Sequence, residues 1–313
     1  MFYRDERLTV LFSMAYMIPR FRVRAPLRLP LALAFVCLGL LSPYTPAAQD
    51  PIETKGDVFD RVIANQKRME AYLDVYERTQ KVEIRKAGSD ANPSEIKVWR
   101  LFPAGPALHK IPLSSSGEPV STQSYRNELE KLAKYLTWAS QPGQTQRDAY
   151  AKLEHKRKDR NDLLVSTHED FLFKPLGQEP RGNRTLTKYS MTPNPKFRPT
   201  TRNAVVFSKV SGFVWIDEQS GELARIEGTV TEDIAIAMFL AKVYKGSYFM
   251  QERYEFAPGV WLPSYEQYDF DGRKYLLSFS IHERTFYSDY KRVGPPSESI
   301  NNVRADLDKL PAE

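Results

Sequence analysis

The chain has 313 residues, 42% of them hydrophobic and 27% charged, and this globular composition excludes a fibrous protein and a disordered tail. Its net charge of +6 is concentrated in residues 1–47, which carry six Arg against Asp5 and Glu6; the nearly neutral remainder argues against nucleic acid as a partner. The single cysteine, Cys37, excludes an internal disulfide.

Residues 1–47 are predicted to be a signal peptide. The apolar run at residues 29–41 follows several Arg and precedes the sequence SPYTPAAQD, which is the three-part order of a secretory leader. The run is shorter than the roughly 20 apolar residues that a membrane-spanning helix needs. Cleavage near Ala47 predicts a periplasmic or secreted protein, and an uncleaved N-terminal membrane anchor is the alternative. Cys37 lies inside the apolar run without a small residue before it, which is atypical of a lipoprotein acylation site.

The mature chain is predicted to begin with one helix and one long hairpin. Residues 56–70 place apolar side chains such as Phe59 and Val62 near helical spacing, with charged residues elsewhere. Residues 72–86 and 95–102 are rich in Tyr, Val and Ile and are separated by a turn sequence, so they predict two antiparallel strands.

Residues 121–174 are predicted to be a helical insertion between strands. This segment is charged, has regularly spaced Leu residues and contains almost no Gly or Pro, which indicates two or three helices. The basic cluster at residues 155–160 is interpreted as a solvated helix face, and docking of an acidic partner or of lipid headgroups is the alternative.

From residue 184 onward the sequence predicts an antiparallel meander. Alternation places Tyr248, Met250, Tyr254 and Phe256 on the buried face of one strand, with the polar residues between them in solvent. Sequences typical of turns divide this strand from its successors.

Two further segments of the meander half have predicted structures of their own. The apolar run at residues 234–240 is interpreted as an ordinary buried helix or strand, and a short capped helix that closes over the sheet is the alternative. Residues 293–313, which are polar and contain Pro and Ser, predict a flexible C-terminal tail.

No motif in the sequence indicates catalysis, a cofactor or a metal site, so the chain is predicted not to be an enzyme. No Gly-x-Ser-x-Gly elbow, phosphate-binding loop or dinucleotide motif occurs, and no two histidines stand at metal-binding spacing. His282 is interpreted as a solvent-facing residue. Asp269 and Asp271 could form an acid/base pair or bind Ca²⁺, but their position around an Asp-Gly sequence favours a role in turn geometry.

The chain is rich in aromatic residues, with 17 Tyr, 17 Phe and 4 Trp, many of them on predicted strands. A large apolar sheet face must be covered by helices or by a ligand. The predicted fold class is therefore α+β: a twisted antiparallel sheet forms an open, incomplete β-barrel, with helices packed on or beside its concave face. Six aromatic residues are predicted to line an apolar trough that binds a ligand: Phe213, Trp215, Tyr248, Phe256, Trp261 and Phe279.

Framework motifs in the second half resemble a known group of proteins. They are Val214-Trp-Ile-Asp217, Leu223-Ala-Arg-Ile-Glu227, Val260-Trp-Leu-Pro263 and Tyr287-Ser-Asp-Tyr290. With them, the stretch at residues 184–292 is similar to the LolA/LolB-type superfamily, in the branch called outer-membrane lipoprotein-sorting protein-like. The resemblance implies an unclosed barrel around helices, with a cavity for the acyl chains of lipoproteins or other lipids, and a single domain over residues 48–292.

These observations predict a monomeric periplasmic carrier or sensor that binds an acylated ligand, a lipid or a lipoprotein, without covalent chemistry. An envelope protein would be the partner that delivers or receives the ligand. The alternative is a non-catalytic interaction or structural module whose core is filled by its own side chains. A hydrolase is the third possibility. It requires a Ser or a carboxylate that converges with a histidine in a cleft, and the linear order of the sequence shows no such arrangement.

Overall fold

The computed structural model describes residues 55–86, 92–198, 202–236, 241–275 and 277–311. The predicted signal peptide, with Cys37, lies outside the described residues. The helices within these ranges are α1 (Lys55–Tyr72), α2 (Thr122–Ala139), α3 (Gln144–Asp170), α4 (Arg202–Phe207) and α5 (Pro296–Asp308).

The strands form one sheet in which every described pair is antiparallel. They are β1 (Tyr76–Ile84), β2 (Glu95–Pro103), β3 (Leu108–Ser115), β4 (Glu118–Pro119), β5 (Phe171–Arg181), β6 (Arg184–Pro193), β7 (Val210–Asp217), β8 (Glu222–Val230), β9 (Ile234–Ile236), β10 (Ala241–Val243), β11 (Tyr248–Ala257), β12 (Val260–Lys274) and β13 (Leu277–Arg292).

The sheet is open. Its strand order is β4-β3-β2-β1-β13-β12-β11-β8-β7-β6-β5, and β9 and β10 form a branch on β12. The end strands β4 and β5 do not pair with each other in the part of the chain that the structure describes. The last long strand, β13, pairs with the first, β1, so the two halves of the sequence share one sheet. The predicted α+β class with an incomplete barrel is confirmed.

Helix α1 covers one face of the sheet, which is called the inner face. Val58, Phe59 and Val62 of α1 are each less than 10% exposed and belong to one cluster with Val214 and Ile216 of β7. Their spacing puts them on one side of the helix, so the amphipathic pattern of the sequence decides which side of α1 meets the sheet.

Helices α2 and α5 form a second layer, called the outer layer, against β2 and β3. Leu129, Leu132 and Leu136 recur every three or four residues along α2, and none of them has exposed surface. They pack with Phe102 of β2 and with Val303 of α5. Because successive strand residues point to opposite faces, Phe102 faces this layer while its neighbour Leu101 packs with Tyr287 in a different cluster.

The prediction of a flexible tail at residues 293–313 is wrong for α5. Pro296 begins the helix, and the hydroxyl of Ser299 donates a 2.8 Å hydrogen bond to the carbonyl of Gly294. Val303 is completely buried, and Ile300 and Leu307 pack beside it. A short, mostly polar helix of this kind gains its stability from the partner surface and little from its own sequence.

Strand β11 turns the opposite face inward from the one predicted. Phe249, Gln251 and Arg253 are 0%, 5% and 5% exposed, whereas Tyr254 and Phe256 are 36% and 38% exposed. Alternating hydropathy favours burial of the set that contains Tyr254 and Phe256, so it predicts the wrong face of this strand. The burial of Gln251 and Arg253 is possible because Arg253 donates hydrogen bonds to Gln251 and Gln251 donates one to Glu266.

The apolar run at residues 234–240 begins as a strand. Ile234 is 1% exposed, and β9 pairs with β10 in an antiparallel register. The first three residues are therefore a buried strand, as the favoured interpretation allows, and the alternative of a capped helix is wrong for them; residues 237–240 lie outside the described ranges.

Candidate functional site

An apolar cavity lies between the inner face of the sheet and the helices α1 and α3. Helix α1 contributes Phe59, Val62 and Ile63, and the sheet contributes residues such as Ile226 and Phe249. Helix α3 and strand β5 contribute Leu164, Thr167, His168 and Phe173. Few of the lining side chains are polar, which is typical of cavities that accept apolar ligands.

The cavity has a volume of about 110 Å³. An engineered apolar cavity of about 150 Å³ in another protein stays dry and accepts benzene. The space in this chain is smaller than that, so most of the inner face is covered by the protein's own side chains. A long acyl chain fits only if the covering helices move away from the sheet.

The spacing along α1 carries one polar residue into the cavity. Phe59, Val62, Ile63 and Gln66 stand at positions i, i+3, i+4 and i+7, so they share one side of the helix. Gln66 is 4% exposed, and its Nε2 has no hydrogen-bond partner. Sequence reasoning missed this residue, although its position seven residues after Phe59 was a usable signal.

Strand β11 supplies two more polar residues to the same cavity. Gln251 and Arg253 line it beside Gln66. The Nε and Nη2 groups of Arg253 donate hydrogen bonds of 3.2 and 3.1 Å to the amide oxygen of Gln251. Sequence analysis assigned both residues to the solvent face, because polar side chains on alternate positions usually face water.

A buried polar network continues from Gln251 across the inner face. Glu266 of β12 is 2% exposed and accepts hydrogen bonds from Gln251 Nε2 at 2.7 Å, from the Tyr287 hydroxyl at 3.1 Å and from the Tyr268 hydroxyl at 3.3 Å. Burial raises the pKa of Glu266, and these hydrogen bonds oppose the increase. The network fills the part of the inner face next to the cavity.

Ion pairs join α3 to Glu70 of α1 and to Asp74, two residues after the end of α1. Arg157 lies 2.7 Å from a carboxylate oxygen of Asp74, and Arg160 lies 3.4 Å from one of Glu70. The basic cluster at residues 155–160 was interpreted as a solvated face, and this is wrong for these two arginines. Their charges are used within the molecule, at the end of α1 away from Phe59.

Two of the six predicted trough residues line a different depression. Phe213 and Tyr248 border an open hollow of about 240 Å³ together with polar residues such as Ser190 and Thr229. Val214, next to Phe213, points into the inner cavity. Phe213 therefore lies on the opposite face of β7, and the hydroxyl of Tyr248 donates a hydrogen bond to Glu227 at 3.0 Å.

The two predicted tryptophans are covered by the protein's own cations. Lys188 Nζ lies 4.6 Å from the Trp215 ring centre and Arg225 Cζ lies 4.7 Å from it. Arg184 Cζ lies 5.1 Å from the ring of Trp261. Both indoles are buried in one cluster and do not line the inner cavity, so their role in the structure is packing and cation–π contact.

The remaining two predicted residues also lie apart. Phe256 is 38% exposed and contacts the rings of Tyr254 and Tyr290. Phe279 packs at the margin of the main core, where a Cβ atom on Gly272 would come within 2.6 Å of its ring. The structure thus does not bring the six residues into one trough. The inner cavity is formed by their sequence neighbours and by α1.

Ser280, His282 and Asp269 form a hydrogen-bonded chain on the other face of β12 and β13. Ser280 Oγ lies 2.8 Å from His282 Nε2, and His282 Nδ1 lies 2.9 Å from Asp269 Oδ1. The prediction that His282 faces solvent is wrong, because its side chain is only 12% exposed and its ring is hydrogen-bonded. The prediction that Asp269 and Asp271 shape a turn is also wrong, because both lie within strand β12.

This chain of residues lacks the surroundings of a catalytic triad. The Ser280 hydroxyl also contacts Asp271 at 2.6 Å, which competes with a nucleophile's hydrogen bond to histidine. None of these residues lines either cavity described above. A triad needs a bound substrate and donors for an oxyanion, so the arrangement is best explained as polar pairing across two strands.

Within the described residues, no group of His, Cys, Asp and Glu is arranged to hold a metal ion. The helices in those same ranges are too short or too polar to cross a membrane.

The sequence matches no model of a protein family and no curated protein. Among solved structures, it is similar to a putative outer membrane lipoprotein-sorting protein domain from Vibrio parahaemolyticus, at 10% identity over 79% of this chain and 99% of that one, with a TM-score of 0.27. It is also similar to a LolA superfamily protein from Nitrosomonas europaea, at 10% identity over 78% and 96% of the two chains, with a TM-score of 0.26. A DUF1329 family protein from Desulfovibrio piger gives 10% identity over 78% and 94%, with a TM-score of 0.26. At this level of similarity, the function of the chain has to be sought in its own residues.

Proposed function

We propose that the chain binds the apolar part of an amphiphile in the inner cavity, without covalent chemistry, as a carrier or sensor of an acylated ligand. The observation that supports this proposal is the cavity itself, an apolar space left between a sheet and two helices. In this proposal the chain acts as a monomer in the periplasm, and an envelope protein delivers or receives the ligand.

Entry of a long chain requires α3 and α1 to separate from the sheet. The ion pairs of Arg157 and Arg160 lie one to three helical turns before the cavity-lining residues of α3, which are Leu164, Thr167 and His168. The helix can therefore move at its cavity-lining turns while these pairs hold its middle. Burying ten methylene groups stabilises the bound state by about 8 kcal/mol, at about 0.8 kcal/mol for each. That gain is comparable with the free energy of local opening in many proteins.

The direct test is to purify the full chain from its own envelope and to identify bound molecules by native mass spectrometry. We expect one co-purifying amphiphile per chain and saturable uptake of a fluorescent fatty acid. If neither is observed in repeated preparations, the alternative of a filled interaction module is favoured and the carrier is excluded.

A matched pair of substitutions locates the binding site. Leu223 lines the inner cavity, and Leu172 is 50% exposed on strand β5. Leu223→Phe fills space that the ligand needs, so we expect at least a tenfold loss of fatty-acid affinity. Leu172→Phe makes the same chemical change outside the cavity and should leave the affinity unchanged. Equal effects of the two substitutions would place binding elsewhere.

A further inference from the structure

The inner cavity is lined by one buried hydrogen-bond donor that lacks an acceptor and by a buried guanidinium. Gln66 Nε2 is buried and has no partner. Arg253 is 5% exposed, and its two hydrogen bonds both go to one neutral oxygen, that of Gln251. A buried donor without an acceptor destabilises the folded state, so an acceptor that enters the cavity here gains the interactions that the protein alone leaves unmade.

The acidic residues around Arg253 have other partners. Glu222 pairs with Arg68 at 3.0 Å, and Glu70 pairs with Arg160 at 3.4 Å. Glu266 is occupied by Gln251 and two tyrosine hydroxyls. Arg253 thus donates its hydrogen bonds to an amide, and the neighbouring carboxylates act on it by electrostatic attraction. One oxygen of each of Glu222 and Glu70 lies near another arginine, and the second oxygen of Glu222 has no hydrogen-bond partner.

The protonation preferences agree with this distribution of partners. Burial lowers the pKa of Arg253, against the attraction of Glu70, Glu222 and Glu266. Burial also raises the pKa of Glu70 and of Glu266, which favours their neutral forms. A further negative charge beside Arg253 therefore meets a buried cation whose carboxylate neighbours are shifted toward their neutral forms.

Building on the function proposed above, we infer that the ligand is a free single-chain carboxylate, of the fatty-acid class, whose carboxylate is held by Arg253 and Gln66. A carboxylate offers two acceptor oxygens and one negative charge, which suits the guanidinium and the amide donor. The fold has already removed Arg253 from water, so binding does not have to desolvate this group again.

The burial of these residues also fixes the direction of the ligand. Gln66, Gln251 and Arg253 are each about 5% exposed or less, whereas Leu164 and His168 on the α3 side of the cavity are half-buried. The carboxylate therefore enters first, and the tail points toward α3. A lipid whose head is joined to a protein cannot adopt this orientation, so the site discriminates against lipoprotein acyl chains.

Isothermal titration of the full chain with decanoate and with decan-1-ol tests this inference, because the two probes share a tail and differ in charge. We expect decanoate to bind at least tenfold more tightly. In Gln66→Leu and in Arg253→Gln, the affinity for decanoate should fall about tenfold while that for decan-1-ol stays within about twofold. Thermal unfolding of each variant verifies its fold.

The outcomes separate the two proposals. Equal affinity of the wild-type chain for both probes overturns the carboxylate site and leaves apolar binding intact, whereas absence of binding by either probe overturns both. Gln66→Leu removes an unpartnered donor and keeps the side-chain size, so it should fold even if Arg253→Gln does not. An unchanged preference for decanoate in Gln66→Leu would exclude Gln66 from the site.

Discussion

Two helix–sheet layers share one sheet in this chain, and they differ in how completely they fill the space between helix and strand. In the outer layer, Leu129, Leu132 and Leu136 are fully buried, and neither of the two cavities described above includes a residue of this layer. In the inner layer, α1 and α3 leave an apolar cavity of about 110 Å³. Leucine side chains thus cover one face of the sheet completely, whereas a cavity remains on the other face. The cavity is therefore a local property of the inner layer.

Truncation of one side chain in each layer should give the largest contrast. Leu132→Ala removes a fully buried side chain from the outer layer, and we expect a loss of about 3 kcal/mol in the free energy of unfolding. Ile63→Ala removes a half-buried side chain that already borders empty space, so about 1 kcal/mol is expected. Urea denaturation measures both values. Equal losses would show that the two layers are packed alike.

The inner layer also contains a buried carboxylate, Glu222, whose pKa is raised toward neutral pH. Burial raises the pKa of Glu222 from 4.5 to about 7, although Arg68 and Arg253 oppose the increase. The folded state therefore prefers the protonated acid. Its contribution to stability is complete below about pH 4.5 and is lost as the pH rises through about 7.

Glu222→Gln should remove this pH dependence, because the amide stays neutral. We expect the variant to be more stable than the wild type by about 2 kcal/mol at pH 8, and the difference to vanish near pH 4.5. Urea denaturation across this range provides the measurement, with the exposed Glu232→Gln as control. A difference that does not change with pH would show that the ionised carboxylate is tolerated through Arg68.

Enlarging one leucine in each layer tests how much additional volume each layer can accept. Leu132→Phe forces extra volume into a filled layer and should cost about 1–2 kcal/mol. Leu223→Phe extends a side chain that lines the inner cavity, so the change in stability should be close to zero. Thermal unfolding of both variants would show it. A large destabilisation by Leu223→Phe would mean that the cavity walls cannot accept additional atoms.

The fold class could be predicted from the sequence because turn residues and alternating hydropathy divide the second half into hairpins. The outer layer shows where such prediction ends. The apolar stripe of α5, which includes Val303, is short and interrupted by polar residues, and only the surface of α2 makes it a buried helix. A sequence pattern cannot indicate a helix whose stability comes mainly from a distant partner.

The candidate site could not be predicted for a different reason. On β11 alternating hydropathy favours burial of the face with Tyr254 and Phe256, but the buried face contains Gln251 and Arg253. Hydropathy assigns such residues to water, whereas Glu266 and its hydrogen-bonding partners on other strands make their burial possible. The polar residues that distinguish the cavity chemically are therefore the ones that the hydropathy rule places in solvent. The i+7 position of Gln66 on α1 was the accessible signal.

The smallest expected effect concerns the Ser280–His282–Asp269 chain, on the sheet face opposite the inner cavity. Ser280→Ala removes an exposed hydroxyl that contacts Asp271 and His282, so the free energy of unfolding should change by less than about 0.5 kcal/mol. Wild type and variant should release p-nitrophenol from p-nitrophenyl acetate at the same rate, because the hydroxyl borders neither of the two cavities described above and is bonded to Asp271. Hydrolysis by the wild type that Ser280→Ala abolishes would overturn this conclusion. It would also mean that the chemically active face of the sheet is the one without the apolar cavity, which would reverse the functional contrast between the two faces.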